Sequence, residues 1–170
     1  EGKYKYGDIT NWDTSEVTIF YAIFDKTSVQ KAKIFNTDIG DWDTSLGYYF
    51  NEMFRGAELF DQDIGAWDMS LAEIVPGMFF GALSFNQDIS NWDVGAISNF
   101  SQMFKNAASF SQNLAIWDLG SAQYVEQMFW NSGLKIDQCF DLSGTGDPEA
   151  CNIFKGSAGG DFLFCEQGKC

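Results

Sequence analysis

A Trp-Asp pair recurs five times in this chain, at Trp12, Trp42, Trp67, Trp92 and Trp117, in steps of 30, 25, 25 and 25 residues. A fixed period of this length constrains the fold more than any other feature. A unit of about 25 residues cannot bury its own apolar face, so the copies must stack on one another and share a core. Aligning on the Trp residues brings other positions into columns. Three residues before each Trp stands Ile9, Ile39, Ile64, Ile89 or Leu114, and two after it Thr14, Thr44, Met69, Val94 or Leu119. The apolar-x-x-Trp-x-apolar spacing predicts a strand with alternate residues pointing inward.

Further along each unit the period changes. Phe50, Met53, Phe54 and Ala57 stand at i, i+3, i+4 and i+7, the pattern of one helix face. Val75, Met78, Phe79 and Ala82 repeat it, then Phe100, Met103, Phe104 and Ala107, then Val125, Met128, Phe129 and Ser132; Phe20, Ile23 and Phe24 begin it in the first unit. Pro76 falls where a first helical turn would tolerate it. A further aromatic, Phe35, Phe60, Phe85 or Phe110, precedes the next strand, and the extra five residues of the first unit fall around Lys26 to Lys33.

The expected fold is therefore an α/β repeat solenoid of leucine-rich-repeat type. Its parallel strands would line a concave side, short helices a convex side, and a disulfide-bonded cap the C-terminus. Residues 1–11 would form the N-terminal edge and the entry to the first strand. Five repeats would fill 12–133, with a degenerate strand and Cys-rich cap over 134–170. In that last segment Phe140-Asp141-Leu142-Ser143 preserves the strand phase, and Asp147-Pro148-Glu149 looks like a helix start.

The strings Phe85-Asn86-Gln87-Asp88-Ile89-Ser90-Asn91-Trp92-Asp93-Val94 and Gln102-Met103-Phe104 resemble the BspA-like leucine-rich-repeat surface-protein family. So does the opening Tyr6-Gly7-Asp8-Ile9-Thr10-Asn11-Trp12-Asp13-Thr14-Ser15. The likeness runs from residue 6 to about 133 and implies a cell-surface or secreted protein used for adhesion or recognition. The family brings no catalytic motif with it.

The 24 Asp and Glu outnumber the 10 Lys and Arg, for a net charge of −14. That balance argues against nucleic acid and against anionic membranes, both of which demand clustered cations. No apolar run is long enough to insert in a membrane. The start at Glu1-Gly2-Lys3-Tyr4 reads as processed or trimmed. Histidine is absent, removing the commonest general base and metal ligand. Cys139, Cys151, Cys165 and Cys170 fall together near the end, which suggests two disulfides and an oxidising, extracellular compartment. Three pairings are open, with sequence-adjacent Cys139–Cys151 and Cys165–Cys170 favoured. A zinc site lacks its usual Cys-x-x-Cys spacing.

The residue after each Trp should face away from the core, making an acidic column of Asp13, Asp43, Asp68, Asp93 and Asp118 on the concave face. Each carboxylate could tie down the turn that follows it; the sharper reading is a site for a basic partner or a divalent cation. A second column, Asp8, Asp38, Asp63, Asp88 and Asn113, opens each strand. Calcium across both columns is conceivable, but no Asp-x-Asp-x-Asp-Gly loop supports it, and no cofactor is expected. Asn99-Phe100-Ser101 fits a glycosylation sequon.

The function expected from these residues is that of an extracellular binding or adhesion module, not an enzyme, recognising a protein or glycan at a cell surface. The alternative is a structural subunit of a surface layer or filament, assembled through solenoid ends or edges. Ice binding is disfavoured by the charged Asp columns, and no carboxylate pair singles itself out for hydrolysis.

Overall fold

The computed structural model describes residues 7–27 and 31–134. In that span the 25-residue period is carried by turns. The regular elements are two 3-10 helices, Ile9–Asn11 and Ala32–Ile34. Pairing of extended backbone is confined to single parallel bridges linking Ile19 to Tyr49, Tyr49 to Ile74, Ile74 to Asn99 and Asn99 to Tyr124. The α/β solenoid with leucine-rich-repeat strands on one side and helices on the other is not what the described residues form.

Side-chain competition explains the missing strands. In the segment around Trp42, Asp38 Oδ1 accepts the N–H of Gly40 at 3.0 Å, and the N–H of Trp42 then donates back to the Ile39 carbonyl at 3.1 Å. Five residues on, Asp43 Oδ1 accepts the N–H of Ser45 at 3.0 Å, and Gly47 donates to the Thr44 carbonyl at 2.8 Å. Asp side chains placed two residues before an N–H offer the backbone a local partner, and the chain folds into two tight turns instead of extending. The bridge comes later, at Tyr49, inside the stretch whose periodicity suggests helix.

That stretch is not helical, because its hydrogen bonds run elsewhere. Met53 N–H donates to Phe50 O and Ala57 N–H to Phe54 O, each closing a turn of four residues. The N–H groups of Phe50, Glu52, Phe54 and Gly56 all leave the coil, donating to the carbonyls of Ile74, Pro76, Met78 and Phe80 in the next one. Two consecutive turns place Phe50, Met53, Phe54 and Ala57 inward, which copies the spacing of a helix face. The third residue of each turn has positive φ: Glu52 and Gly56 here, then Gly77 and Gly81, Gln102 and Asn106, Gln127 and Asn131. Pro76-Gly77 supplies what such a turn demands, a fixed φ followed by a residue free to adopt the left-handed region.

The coils stack into one core. Ile39, Ile64, Ile89 and Leu114 are buried with Trp42, Trp67, Trp92 and Trp117, as are the turn columns and Phe60, Phe85 and Phe110. Aromatic side chains form ladders through the stack. Phe24, Phe54, Phe79, Phe104 and Phe129 follow one another with ring centroids 5.4–5.5 Å apart. Within each inner coil a second ring lies against this ladder, Phe79 and Phe85 at 4.0 Å for example. Stacked pairs of this kind contribute roughly 0.5–1.5 kcal/mol beyond the area they bury. Trp12, in the first coil, is 41% exposed, although it stacks on Trp42. The cysteines expected to close the C-terminus lie outside the described residues.

Candidate functional site

The two columns are rows of turn-capping side chains, carboxylates at every position but Asn113. Asp13, Asp43, Asp68, Asp93 and Asp118 are all exposed, and each accepts the N–H two residues on, from Ser15, Ser45, Ser70, Gly95 and Gly120, at 2.8–3.2 Å. Ser15 and Ser45 add their hydroxyls, at 2.7 and 2.6 Å. The second row does the same: Asp8, Asp38, Asp63, Asp88 and Asn113 accept from Thr10, Gly40, Gly65, Ser90 and Ala115 at 2.9–3.2 Å.

These bonds set the electrostatics of the row. The Ser15 hydroxyl, with the Ser15 N–H behind it, holds Asp13 below the usual carboxylate range. Ser45 does so for Asp43, Ser70 for Asp68 and Ser90 for Asp88, hydroxyl first and backbone second in each case. Repulsion along the row acts the other way and is smaller: Asp13 raises Asp43, and Asp43 raises Asp68. One oxygen of each carboxylate in the first row is spent on its own turn. Among the described residues no group of three or more Cys, Asp or Glu side chains is placed to hold a metal ion.

A second exposed row accompanies the first. Six residues after each Asp comes the bridge column, Ile19, Tyr49, Ile74, Asn99 and Tyr124. Ile19, Tyr49 and Tyr124 are exposed, and Leu46 and Leu71 lie between the two rows along the chain, also exposed. Six residues span at most about 20 Å of extended chain, and the intervening turn shortens that reach. The surface therefore carries a row of negative charge and, six residues on along the chain, exposed Ile19, Tyr49 and Tyr124.

Asn99 sits in this bridge column with its side chain engaged. Its Oδ1 accepts the Ser101 N–H at 2.9 Å, and the Ser101 hydroxyl donates to Glu126 at 2.5 Å. In the folded chain both polar side chains of the sequon have partners.

Three features escaped the reading of the sequence. Asn36 Oδ1 accepts the N–H of Asp61 and the amide of Gln62 from the next coil; Asp61 and Asn86 repeat the arrangement toward Asn86 and Gln87, and toward Ser111 and Gln112. The 25-residue recurrence of Asn36, Asp61, Asn86 and Ser111 was the available signal. Arg55 lies over the Phe80 ring at 4.8 Å, and Lys105 stands 5.7 Å from Phe80 and 6.0 Å from Trp130, an outward row of alternating cations and rings. Finally, Asp88, Ser90, Gln112, Asn113 and Ile116 line an open hollow of about 230 Å³ on the second acidic row.

A repeat built of Asp-capped turns with these columns matches one known family, described as Mycoplasma protein of unknown function, DUF285, over residues 2–82 and again over 26–139. The chain belongs to the DUF285 family. The two matches overlap between 26 and 82, as expected where a periodic sequence can be aligned in more than one register. No curated protein and no solved structure matches the chain. For this DUF285 chain the surface rows are thus the features on which a functional reading must rest.

Proposed function

We propose that this DUF285 chain is an extracellular recognition or adhesion module, a binding protein rather than an enzyme, whose partner is a protein or glycan at a cell surface. The observation that carries the reading is the unbroken exposed row of Asp13, Asp43, Asp68, Asp93 and Asp118, followed at a constant six-residue offset by a bridge column in which Ile19, Tyr49 and Tyr124 are exposed. Large exposed apolar groups rimmed by charge mark interaction surfaces on folded proteins. Exposed carboxylates fixed in place by their own turns present a negative potential that favours a partner bearing cations. The likeness of the Trp-Asp strings to BspA-like surface proteins supports the same placement at a cell surface.

Probing a protein and glycan array with the whole chain, at low and raised salt, tests this reading. Binding is expected to weaken as exposed charges are screened, and to fall in a variant carrying Asp43→Asn, Asp68→Asn and Asp93→Asn. Binding indifferent to both salt and variant, or none to any protein or glycan, overturns it.

A further inference from the structure

Along the second row the coils close on one another where glycine permits it. A Cβ at Gly40 would stand 2.6 Å from the Asp63 carbonyl oxygen, and one at Gly65 2.6 Å from that of Asp88. The second, third and fourth coils therefore meet there with no room for a side chain. In the first coil the same place is Thr10, wound into a 3-10 helix. In the fourth coil it is Ser90, whose Cβ denies the fifth coil so close an approach. The hollow of about 230 Å³ lies at this junction, lined by Asp88, Ser90, Gln112, Asn113 and Ile116.

Two more columns change at the same spot. The row Asp8, Asp38, Asp63, Asp88 ends in Asn113, which removes a charge. The column Asn11, Asp41, Ala66, Asn91 ends in Ile116, which is 73% exposed, more than any other large apolar side chain among the described residues. Three departures from the repeat thus face one hollow.

Its polar groups are held in place before any ligand arrives. Asp88 Oδ1 accepts the Ser90 N–H at 3.0 Å. Asn113 Oδ1 accepts the Ala115 N–H at 3.0 Å, which leaves the amide nitrogen of Asn113 as a donor. Gln112 Nε2 donates to the carbonyl and the Oδ1 of Asn86, at 2.6 and 3.1 Å. Groups fixed in this way lose little freedom on binding. The hollow therefore sets a carboxylate acceptor beside an amide donor and an exposed aliphatic side chain. A calcium ion takes 6–8 oxygen ligands, several of them charged, and this lining has one carboxylate. An anion would find no cation in it. Sites for drug-sized ligands enclose about 300–1,000 Å³, so this one admits a single ring.

We infer that the hollow between the fourth and fifth coils binds one neutral sugar unit, free or at the end of a glycan. Its hydroxyls donate to Asp88 and accept from the Asn113 amide, while a C–H face rests on Ile116. The inference rests on the reading of this chain as a binding module, and it gives the glycan a place apart from the first acidic row.

Amide chemical shifts of the isotope-labelled whole chain, followed during titration with the methyl glycosides of glucose, galactose, mannose and N-acetylglucosamine, test it. At least one glycoside is expected to saturate in the millimolar range and to move the backbone amides of Ser90 and Ala115 together with the side-chain amides of Gln112 and Asn113. Asp88→Asn keeps an oxygen for the turn but drops the charge, and should weaken binding at least tenfold. Ser90→Gly restores the residue found at positions 40 and 65, lets the coils close, and should do the same. Asp38→Asn, a like change at a closed junction, should leave binding unchanged. Raised salt should also leave it unchanged, unlike binding at the first row. No response to any glycoside, shifts centred elsewhere, or binding that survives both hollow variants overturns the inference. The shift map comes from the unaltered chain and stands even if a variant fails to fold. Array binding that falls in the Asp43, Asp68 and Asp93 variant while no glycoside moves these amides sinks the hollow and spares the module; glycoside binding here with a blank array does the reverse.

Discussion

The indole N–H of Trp67 donates to the carbonyl of Ile39, 3.1 Å away in the preceding coil, and that carbonyl already accepts the N–H of Trp42. Trp92 does the same to Ile64 and Trp117 to Ile89. A single carbonyl thus closes a turn in its own coil and anchors the next. Trp67→Phe keeps the ring in the core but leaves the Ile39 oxygen one partner short in a dry site. Urea denaturation should show a loss of about 1–3 kcal/mol.

Thr14 and Thr44 occupy the same column and are both buried, but they differ in one bond. The Thr44 hydroxyl donates to the Asp68 carbonyl at 2.9 Å, while the Thr14 hydroxyl finds no partner among the described residues. Thr14→Val should therefore stabilise the chain by about 1 kcal/mol, and Thr44→Val should destabilise it by a similar amount. Matching denaturation curves for the two variants would show that the hydroxyls are equivalent, contrary to this geometry.

Positive φ at Gln102 carries a cost that glycine would not incur. Gln102→Gly should raise stability by about 1 kcal/mol. The converse change, Gly77→Ala, should lower it by about as much through backbone strain alone, because a Cβ there would meet nothing closer than 3.5 Å. Thermal melts of the two variants should move in opposite directions.

Asp13, Asp43, Asp68 and Asp88 are held below the ordinary carboxylate value by their serines in the folded chain. A depressed folded value means that the stabilisation is complete above the unfolded value, about 3.9, and is lost as pH falls through the lower folded values. Acid should therefore weaken the fold below about pH 4. Asp43→Asn combined with Asp68→Asn should flatten that dependence, since asparagine keeps the accepting oxygen and has no proton to take up. A stability–pH profile unchanged by the double substitution would remove the serines from the account.

Truncation tests the ladder. Phe79 stacks on Phe54 and Phe104 along the stack and on Phe85 within its own coil. Phe79→Ala should cost ~3–5 kcal/mol, and hydrogen exchange should rise on both sides of the third coil. Exchange that rises in that coil alone would mean the coils do not support one another.

The period, the inward columns and the buried Trp residues after the first were legible in the sequence, because a residue that must be apolar in every copy declares itself by recurrence. The backbone conformation was not. Phe50, Met53, Phe54 and Ala57 satisfy a helix template, yet two consecutive turns turn the same four residues inward. The decisive sign lay between them, in the column Gly56, Gly81, Asn106 and Asn131, residues suited to positive φ and ill placed inside a helix. Likewise Asp38 and Asp43 read as strand flanks, although an Asp two residues before an open N–H draws the chain into a turn. The acidic row itself could be listed residue by residue. That each carboxylate is tied to its own turn depends on the backbone folding Ser15, Ser45, Ser70, Gly95 and Gly120 back onto it, which the residue types alone do not fix.

Because every coil bonds to neighbours about one period away, no junction asks the chain to close a loop much longer than any other. Order can then begin at any adjacent pair of coils and spread outward in both directions, each new coil settling on one already formed. The five extra residues of the first unit lengthen its loop from 25 to 30, which adds only about 0.2 kcal/mol to the closure entropy. Growth in length on the loop side is nearly free, whereas one residue inserted between Phe50 and Ala57 would shift every forward N–H off its acceptor.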